Sequence, residues 1–240
     1  MIEAVLFDLG DTLIHFATWS ARPYLNALAR LVHDRLTELG FSPPAFDRYR
    51  KAIRSRFACA FIWSRVTRRE TQLLAAFQNF HARLGIHLND AQVMELGLLC
   101  IPALRPLFCA DAEAVGVISS LQRRGFKLGV VSNTFFPSFA IDDVMRQDGL
   151  LDFFPVRVYS SDVRYMKPHR RIFQAALDQM GVAADRTMYV GDRLRNDVKG
   201  SARVGMRTVL LSRNGRFRPG RVRPDHVVRR LSELPALLHA

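Results

Sequence analysis

Lysine, cysteine and long apolar runs are all scarce in this chain of 240 residues. Its three cysteines show no CxxC spacing, which argues against a zinc site and against a disulfide framework. Arginine supplies most of the positive charge, because few of the 35 basic residues are lysines. The lysines are Lys51, Lys127, Lys167 and Lys199.

The absence of long apolar runs argues against a membrane protein. No stretch approaches the roughly 18 consecutive apolar residues that a spanning helix needs, and the N-terminus lacks the basic region and cleavage site of a signal peptide. We therefore expect a cytoplasmic protein without membrane contact. Apolar residues make up 49% of the chain and charged residues 24%, a balance typical of a globular protein.

The formal net charge of +13 bears on the partners of the protein. The arginines are spread from Arg22 to Arg230 without a long uninterrupted run. A basic protein attracts polyanions in general, but this even spread favours a small phosphorylated substrate over nucleic acid, so we expect no nucleic-acid partner. The alternative, polyanion binding by the loop between Arg213 and Arg223, stays open.

Strand and helix patterns alternate along most of the chain. Residues 3–9 form a short apolar run of the kind that parallel sheets bury on both faces. Helical periodicity then continues to residue 103 without a strand, and the alternation resumes after Pro106. Further strands are predicted at 127–132, 156–160, 187–190 and 207–211 and near the C-terminus, and helices at 20–40, 44–62, 67–84, 90–100, 111–124, 137–147, 169–180 and 196–204.

This order predicts an α/β fold with a doubly wound parallel sheet and an all-helical insertion. We expect one core domain made of residues 1–16 and 104–240. The helical domain is expected at residues 17–103. Its placement between the first strand and the rest of the core makes it a cap.

Polar side chains follow the ends of the predicted strands. In a parallel sheet these ends share one edge, where open α/β sheets bind ligands. Groups more than 180 residues apart in the sequence are therefore expected in one crevice. They are Asp8 with Asp11, Ser132 with Asn133, Lys167, and Asp192 with Asp197.

These residue types suit phosphoryl transfer. A carboxylate such as Asp8 is a known covalent nucleophile, and Ser132, Asn133 and Lys167 offer donors to phosphoryl oxygens. Two more carboxylates, Asp192 and Asp197, would complete an oxygen-rich site of the kind that Mg²⁺ prefers. A helix N-cap is the structural alternative for Asp197.

Four short motifs resemble those of the haloacid dehalogenase-like (HAD) hydrolases with a helical cap. Each motif is weak by itself, but their order and spacing match over essentially the whole chain. They are Asp8-Leu9-Gly10-Asp11-Thr12, Val131-Ser132-Asn133-Thr134, Lys167-Pro168 with Ile172-Phe173, and Gly191-Asp192 with Asn196-Asp197.

The resemblance implies a Rossmann-like core and a Mg²⁺-dependent phosphatase that forms an aspartyl-phosphate intermediate. It implies that Asp8 is the nucleophile and a metal ligand, and that the Gly10 carbonyl and Asp192 are further ligands. The expected substrate is a small phosphorylated metabolite, and the expected assembly is a monomer or homodimer.

The resemblance also implies roles for the remaining motif residues. Ser132, with Asn133, would bind the phosphoryl group, and Lys167 would neutralise charge. Asp197 would support either the metal or Lys167.

One position departs from the family pattern. The phosphatases of the family have an aspartate two residues after the nucleophile, where this chain has Gly10, and general acid–base catalysis is worth about 10²–10⁴ in rate. Asp11, one residue later, is the candidate replacement. His15 and His169 are lesser candidates for the proton carrier.

Gly10 keeps other activities open. One is a catalytically weak or inactive protein that binds a phosphorylated ligand or a partner. Another is haloacid hydrolysis, although the tyrosine that haloacid dehalogenases carry at position 10 is absent. A third is phosphonate hydrolysis through Lys51, although Arg48-Tyr49-Arg50-Lys51 has the pattern of a solvated helix face.

Substrate choice is expected to depend on the helical insertion, which is rich in arginine and aromatic residues. Most of these aromatic side chains fit the core of a helical bundle, and most of the arginines fit its solvated face. The set is Trp19, Arg22, Tyr24, Arg54, Arg56, Phe57, Phe61, Trp63, Arg65, Arg68 and Arg69.

Overall fold

The computed structural model of the protein describes residues 1–16, 22–67, 73–217 and 220–238. The strands are β1 (Ala4–Phe7), β2 (Ile14–Phe16), β3 (Phe108–Ala110), β4 (Lys127–Ser132), β5 (Val156–Tyr159), β6 (Thr187–Gly191), β7 (Arg207–Leu211) and β8 (His226–Val228). The helices are α1 (Arg22–Glu38), α2 (Phe46–Thr67), α3 (Leu73–Ala82), α4 (Asp90–Leu98), α5 (Cys100–Leu104), α6 (Ala114–Arg123), α7 (Ser138–Gln147), α8 (Ser160–Val163), α9 (Arg170–Met180), α10 (Lys199–Ala202) and α11 (Leu234–Leu237).

A six-stranded sheet forms the centre of the molecule, in the order β5-β4-β1-β6-β7-β8 with every neighbouring pair parallel. This confirms the predicted α/β fold. β1 lies between β4 and β6, with Phe7 beside both Val130 and Val190. The segment after β1 therefore emerges at the middle of the carboxyl edge of the sheet.

The two faces of β1 are buried in different clusters of apolar side chains. Val5 and Phe7 pack on one face with residues of α6, α7 and α11, and Ala4 and Leu6 pack on the other with residues of α9. Because successive side chains of a strand point to opposite faces, a strand covered on both sides must be apolar throughout. This explains the uninterrupted apolar run in the sequence.

The described part of the insertion is helical, as predicted. α1–α5 lie between β2 and β3 and share their own apolar cluster, which includes Tyr24, Val32, Tyr49 and Leu96. α4 begins with a capping box, in which the side chains of Asn89 and Gln92 each accept a hydrogen bond from the other residue's backbone N–H. Within the described ranges, no helix has the length and apolar character needed to cross a membrane.

The sequence did not indicate β2 and β3, which form a separate antiparallel pair. Ile14 pairs with Ala110 and Phe16 with Phe108, so the pair joins the two ends of the helical insertion. Each strand has only three residues, which is too short for an alternating pattern to be recognised. The residues that pair between β2 and β3 are more than 90 positions apart in the sequence.

Some element boundaries differ from the predictions. The helix predicted at 111–124 begins at Ala114, because the Asp111 carboxylate accepts a hydrogen bond from the Glu113 N–H (2.8 Å) and holds a turn there. The helix predicted at 196–204 is a π-helical turn, Leu194–Val198, followed by α10. Parts of the predicted helices 20–40 and 67–84 lie outside the described residues.

The division into two domains stays a prediction. Its proposed boundary between residues 103 and 104 falls inside α5, whose residues Cys100, Ala103 and Leu104 pack in the cluster of the helical insertion.

Candidate active site

Asp8 occupies the central position at the carboxyl edge of the sheet. It follows β1 directly, donates its backbone N–H to the Val190 carbonyl (2.8 Å) and is only 7% exposed. Its Oδ1 accepts a hydrogen bond from the Leu9 N–H at 2.7 Å. The parallel sheet thus fixes the backbone that leads into this carboxylate.

Lys167 joins two of the carboxylates predicted for the site. Its Nζ lies 2.6 Å from Asp8 Oδ1 and 2.7 Å from Asp197 Oδ1. It also donates to the Tyr189 hydroxyl at 3.0 Å, and that hydroxyl donates to the Val131 carbonyl at 3.1 Å. The ammonium is buried, and these partners fix its position against the nucleophile candidate.

Sequence reasoning missed Tyr189. The signal available was a tyrosine inside an otherwise apolar strand, since a buried tyrosine hydroxyl needs a hydrogen-bond partner. Only the tertiary arrangement, in which β1 separates β6 from β4, shows that its partners include Lys167 and Val131.

Ser132 and Asn133 lie at the end of β4, as predicted. Ser132 is buried and pairs with Tyr159 of β5. The Asn133 amide is engaged by the backbone of Lys167: its Oδ1 accepts from the Lys167 N–H at 2.7 Å, and its Nδ2 donates to the Lys167 carbonyl at 3.2 Å. Asn133 therefore holds the backbone of Lys167 in position. A contact between Asn133 and the substrate stays a prediction.

Three carboxylates meet at this edge. One oxygen from each of Asp8, Asp192 and Asp197 lies within 4.8 Å of the other two. Asp192 Oδ1 is buried without a hydrogen-bond partner in the described part of the chain, whereas Asp197 accepts from Lys167 and from the Arg193 N–H at 2.9 Å. The donor set and the unpaired buried oxygen fit a hard cation such as Mg²⁺.

Gly191 permits this approach of carboxylates. A Cβ at position 191 would lie 2.5 Å from Asp197 Cγ, so any other residue would displace the Asp197 side chain. This explains the glycine that precedes Asp192 in the sequence.

Burial controls the electrostatics of the cluster. Burial raises the pKa of Asp8, and Lys167 offsets part of this effect. Burial raises the pKa of Asp197 to about 6, and burial with the nearby Asp197 raises the pKa of Asp192. For Lys167 burial acts in the opposite direction, but Asp197 and Asp8 together raise its pKa. The lysine is therefore held in its charged form, and the excess of negative charge favours a bound cation.

The turn after Asp8 places Asp11, the acid one residue beyond the expected position, beside Arg193. Asp11 adopts a left-handed conformation (φ 59°), and its N–H donates to the Ile14 carbonyl at 2.7 Å. Its Oδ2 lies 3.8 Å from Arg193 Nη2, and its charge adds to the raised pKa of Asp192. Asp11 therefore faces the acidic cluster from the side of Arg193.

Gly10 lies against an aromatic ring. A Cβ built at position 10 would be 3.1 Å from Cε2 of Phe16, a contact tighter than most real Cβ contacts. Phe16 packs in turn on Phe108 of β3, with ring centroids 5.1 Å apart. An aspartate at position 10 would require this ring to move, a relation that the sequence does not reveal.

The two histidines considered as proton carriers have structural partners. His15 Nε2 lies 2.9 Å from Asp111 Oδ2, which also contacts Arg213 Nη2 at 2.8 Å. His169 caps α9 and stacks on Tyr165, with centroids 4.5 Å apart.

The helix face around Lys51 agrees with the prediction in part. Lys51 is exposed, but Tyr49 is fully buried, because its position faces α3 inside the helical insertion. Lys51 lines a small open cavity with Arg22 and Arg54. Trp19, Arg68, Arg69 and the side chain of Arg65 lie outside the described residues.

Known proteins resemble the chain in sequence. Residues 2–205 match a family model for hydrolases described as haloacid dehalogenase-like hydrolase. The chain is 30% identical over 239 residues to pyrimidine 5′-nucleotidase YjjG of Escherichia coli (strain K12), covering 98% of this chain and 96% of that protein. It is 33% identical over 227 residues to a glyceraldehyde 3-phosphate phosphatase of Methanothermobacter thermautotrophicus, covering 88% and 86%.

Solved structures resemble it in fold. A 2-haloacid dehalogenase from Pseudomonas syringae pv. Tomato superposes with a TM-score of 0.69 at 23% identity, over 99% of this chain and 98% of that one. A HAD phosphatase from Thermococcus onnurineus superposes with a TM-score of 0.60 at 25% identity, over 98% and 97%. The first likeness, at this low identity, concerns the fold alone.

Proposed function

Since this chain belongs to the haloacid dehalogenase-like hydrolases, we propose that it is a Mg²⁺-dependent phosphatase of a small phosphorylated substrate. The observation that carries the proposal is the Lys167 ammonium held between Asp8 and Asp197 at 2.6 and 2.7 Å, beside a third carboxylate with an unpaired buried oxygen. The names of related proteins, a nucleotidase and a phosphatase, support the same reaction class.

In the proposed first step, Oδ2 of Asp8 attacks the phosphorus atom. The new O–P bond forms an aspartyl phosphate, and the bond from phosphorus to the leaving alcohol oxygen breaks. Lys167 balances negative charge on Asp8 and on the phosphoryl oxygens, and Ser132 donates a hydrogen bond to one of those oxygens.

In the proposed second step, water attacks the aspartyl phosphate. The O–P bond to Asp8 breaks, inorganic phosphate leaves and the Asp8 carboxylate is restored. Gly10 has no side chain to protonate the leaving oxygen or to deprotonate water. We assign both proton transfers to Asp11, the acid on the same turn: it protonates the leaving oxygen in the first step and accepts a proton from water in the second.

We assign the metal site to Asp8, Asp192 and the Gly10 carbonyl. When bound, Mg²⁺ supplies positive charge that reduces repulsion between an anionic nucleophile and an anionic substrate. Asp197 is a weaker candidate ligand, because both of its oxygens accept hydrogen bonds from Lys167 and Arg193. Its role is to hold Lys167 in position.

The contact between Gly10 and Phe16 favours a second candidate function. A protein that lacks the acid and fills its space with a ring would bind a phosphorylated ligand with little turnover. Such a protein would use the same Ser132 and Lys167 contacts to the phosphate.

Phosphate release from a panel of phosphorylated metabolites, measured with Mg²⁺ and with EDTA, separates the two functions. We expect Mg²⁺-dependent release by the wild-type protein and a loss of at least about 10³-fold in Asp8→Asn, which keeps the size of the side chain but removes the nucleophile. His87→Gln, an exposed change in the helical insertion, is the matched control. Equal rates in wild type and Asp8→Asn would overturn the phosphatase proposal, and ligand binding without release would support the second function.

A further inference from the structure

A large cavity lies between the helical insertion and the loops of the core. Its volume is about 840 Å³, within the range of pockets that hold drug-sized ligands. Tyr24, Phe57 and Trp63 line it from α1 and α2, and Phe135 and Tyr165 line it from the core. The cavity thus has aromatic rings on both of its sides.

Two loops connect this cavity to the candidate active site. Phe135 is three residues after Ser132, and Tyr165 is two residues before Lys167. Since consecutive Cα atoms are about 3.8 Å apart, the Cα of Phe135 lies within about 11 Å of that of Ser132, and the Cα of Tyr165 within about 8 Å of that of Lys167. The loops that carry Ser132 and Lys167 therefore also supply part of the cavity lining on the core side.

Ring contacts join the helical insertion to the core along this lining. The Phe135 ring lies 5.5 Å from the ring of Phe57 and stacks on Phe61 at 5.6 Å, measured between centroids. Tyr24 contacts Phe136 edge-on at 5.2 Å. These contacts fix the aromatic surface of the cavity relative to the end of β4.

The lining indicates the chemistry of the occupant. It is mostly apolar, and no acidic side chain belongs to it in the described part of the chain. Arg56 and Arg164 add guanidinium groups that donate hydrogen bonds and stack on rings. Such a cavity favours a flat ring with acceptor oxygens and disfavours a cationic group.

We infer that this cavity binds the alcohol part of the substrate, and that the preferred substrates are phosphate monoesters whose alcohol carries a flat ring the size of a nucleobase. The inference rests on the proposed phosphatase function and names its substrate class. A three-carbon alcohol would leave most of the cavity to water against aromatic surface, which costs free energy.

A matched pair of substrates tests the inference. Uridine 5′-monophosphate and ribose 5-phosphate have the same reacting primary phosphate, and only the nucleotide carries the flat uracil ring. We expect kcat/KM to be at least about ten-fold higher for the nucleotide, which corresponds to about 1.4 kcal/mol. 2-Phenylethyl phosphate against ethyl phosphate shows whether any flat ring suffices or the acceptor oxygens of a nucleobase are needed.

A variant that fills the cavity gives the second measurement. Ala60 lines the cavity on α2, and Ala60→Trp is expected to lower kcat/KM for the nucleotide at least about ten-fold more than for ribose 5-phosphate. Ala27→Trp introduces the same side chain at an exposed position of α1 outside the cavity, and both substrates should retain their values. If ribose 5-phosphate or ethyl phosphate is hydrolysed as well as or better than its partner with a flat ring, the inference is overturned and the phosphatase proposal stands.

Binding without turnover separates the two proposals. Trp63 lines the cavity, so uridine, which has no phosphate, should change the tryptophan fluorescence of the wild-type protein and not that of Trp63→Phe. Uridine binding without phosphate release from any ester would support the binding of a flat ring in the cavity and overturn the phosphatase proposal. A fluorescence unchanged by uridine, together with no preference for ring-bearing esters, would overturn the cavity inference.

Discussion

Position 10 shows how a single missing side chain affects its surroundings. Without a Cβ at Gly10, the Phe16 ring approaches the backbone and packs on Phe108. The missing side chain at position 10 and the close approach of the Phe16 ring are therefore linked, because the ring lies where a Cβ would need space. An aspartate at position 10 would therefore also require the Phe16 ring to shift.

The double variant Gly10→Asp/Phe16→Ala is accordingly expected to hydrolyse phosphate esters about ten-fold or more faster than Gly10→Asp. The full benefit of general acid–base catalysis is about 10²–10⁴, and the ring obstructs it in the single variant. Steady-state kcat with Mg²⁺ measures the effect. Phe16→Ala alone supplies no acid and serves as the control. If Gly10→Asp is as active as the double variant, the Phe16 ring does not interfere with the introduced acid.

Asp192 is the residue whose environment most requires a cation. Its Oδ1 is buried without a partner in the described structure, and burial raises its pKa. Binding of an ion to the native state alone stabilises it by about 2.7 kcal/mol at 100 times Kd.

We therefore expect Mg²⁺ to raise the Tm of the wild-type protein by several degrees, and to raise that of Asp192→Asn much less. Differential scanning fluorimetry with a Mg²⁺ series measures this independently of turnover. Asp47→Asn, on an exposed part of α2, should respond like wild type. An unchanged Mg²⁺ response in Asp192→Asn would contradict the assignment.

Among the elements, α2 and α3 are joined by a buried histidine. His81 Nδ1 lies 2.8 Å from the Phe77 carbonyl, so this nitrogen carries the proton, and Nε2 accepts from the Tyr49 hydroxyl at 2.8 Å. Burial lowers the pKa of His81 to about 4. The neutral form is therefore part of the folded helical insertion.

The lowered pKa of His81 predicts that the free energy of unfolding depends on pH. Between pH about 6.5 and 4 the unfolded state binds more protons at this group than the native state, so the stabilisation present above pH 6.5 is lost as the pH falls through about 4. The loss is about 3 kcal/mol at most. Urea unfolding of wild type and His81→Gln from pH 7 to 4 should show a smaller decline in the variant.

His87→Gln is the matched control for that measurement, because His87 is exposed in the same insertion. It should keep the decline of the wild-type protein. If the free energy of unfolding of His81→Gln falls with pH in parallel with that of the wild-type protein, His81 is not the source of the decline.

The elements also show which parts of the fold were predictable. β4 and β7 agree with their predicted bounds because apolar runs between turns mark buried strands. β2 and β3 could not be predicted, since three residues in each strand carry no period and the paired residues are separated in the sequence by the whole helical insertion.

For the whole molecule, the charge of +13 affects the encounter with substrate. A basic surface raises the local concentration of anions, and salt screens this effect over about 10 Å at 0.1 M ionic strength. We expect kcat/KM for a phosphate ester to fall several-fold as ionic strength rises about ten-fold, with kcat at saturation nearly constant. Equal falls in both constants would attribute the salt effect to the chemical step.

Other properties of the whole molecule stay predictions. These are the cytoplasmic location, the monomeric or homodimeric state and the absence of a nucleic-acid partner. Retention on DNA that weakens steeply with salt would instead favour polyanion binding by the loop from Arg213 to Arg223.

The sequence by itself determined the parallel α/β core, the helical insertion and the meeting of Asp8, Ser132 and Asp192 at one edge, because strand periodicity and strand order fix which residues end there. Lys167 lies in the loop beyond α8, so its motif, and not a strand end, indicated its place in the site. Tertiary structure alone decided that Asn133 and Asp197 position Lys167, that Tyr189 joins them, and that Phe16 lies against Gly10. It also created the aromatic cavity. These features depend on distances between side chains from separate elements, and a sequence pattern records only which face of its own element a side chain lies on.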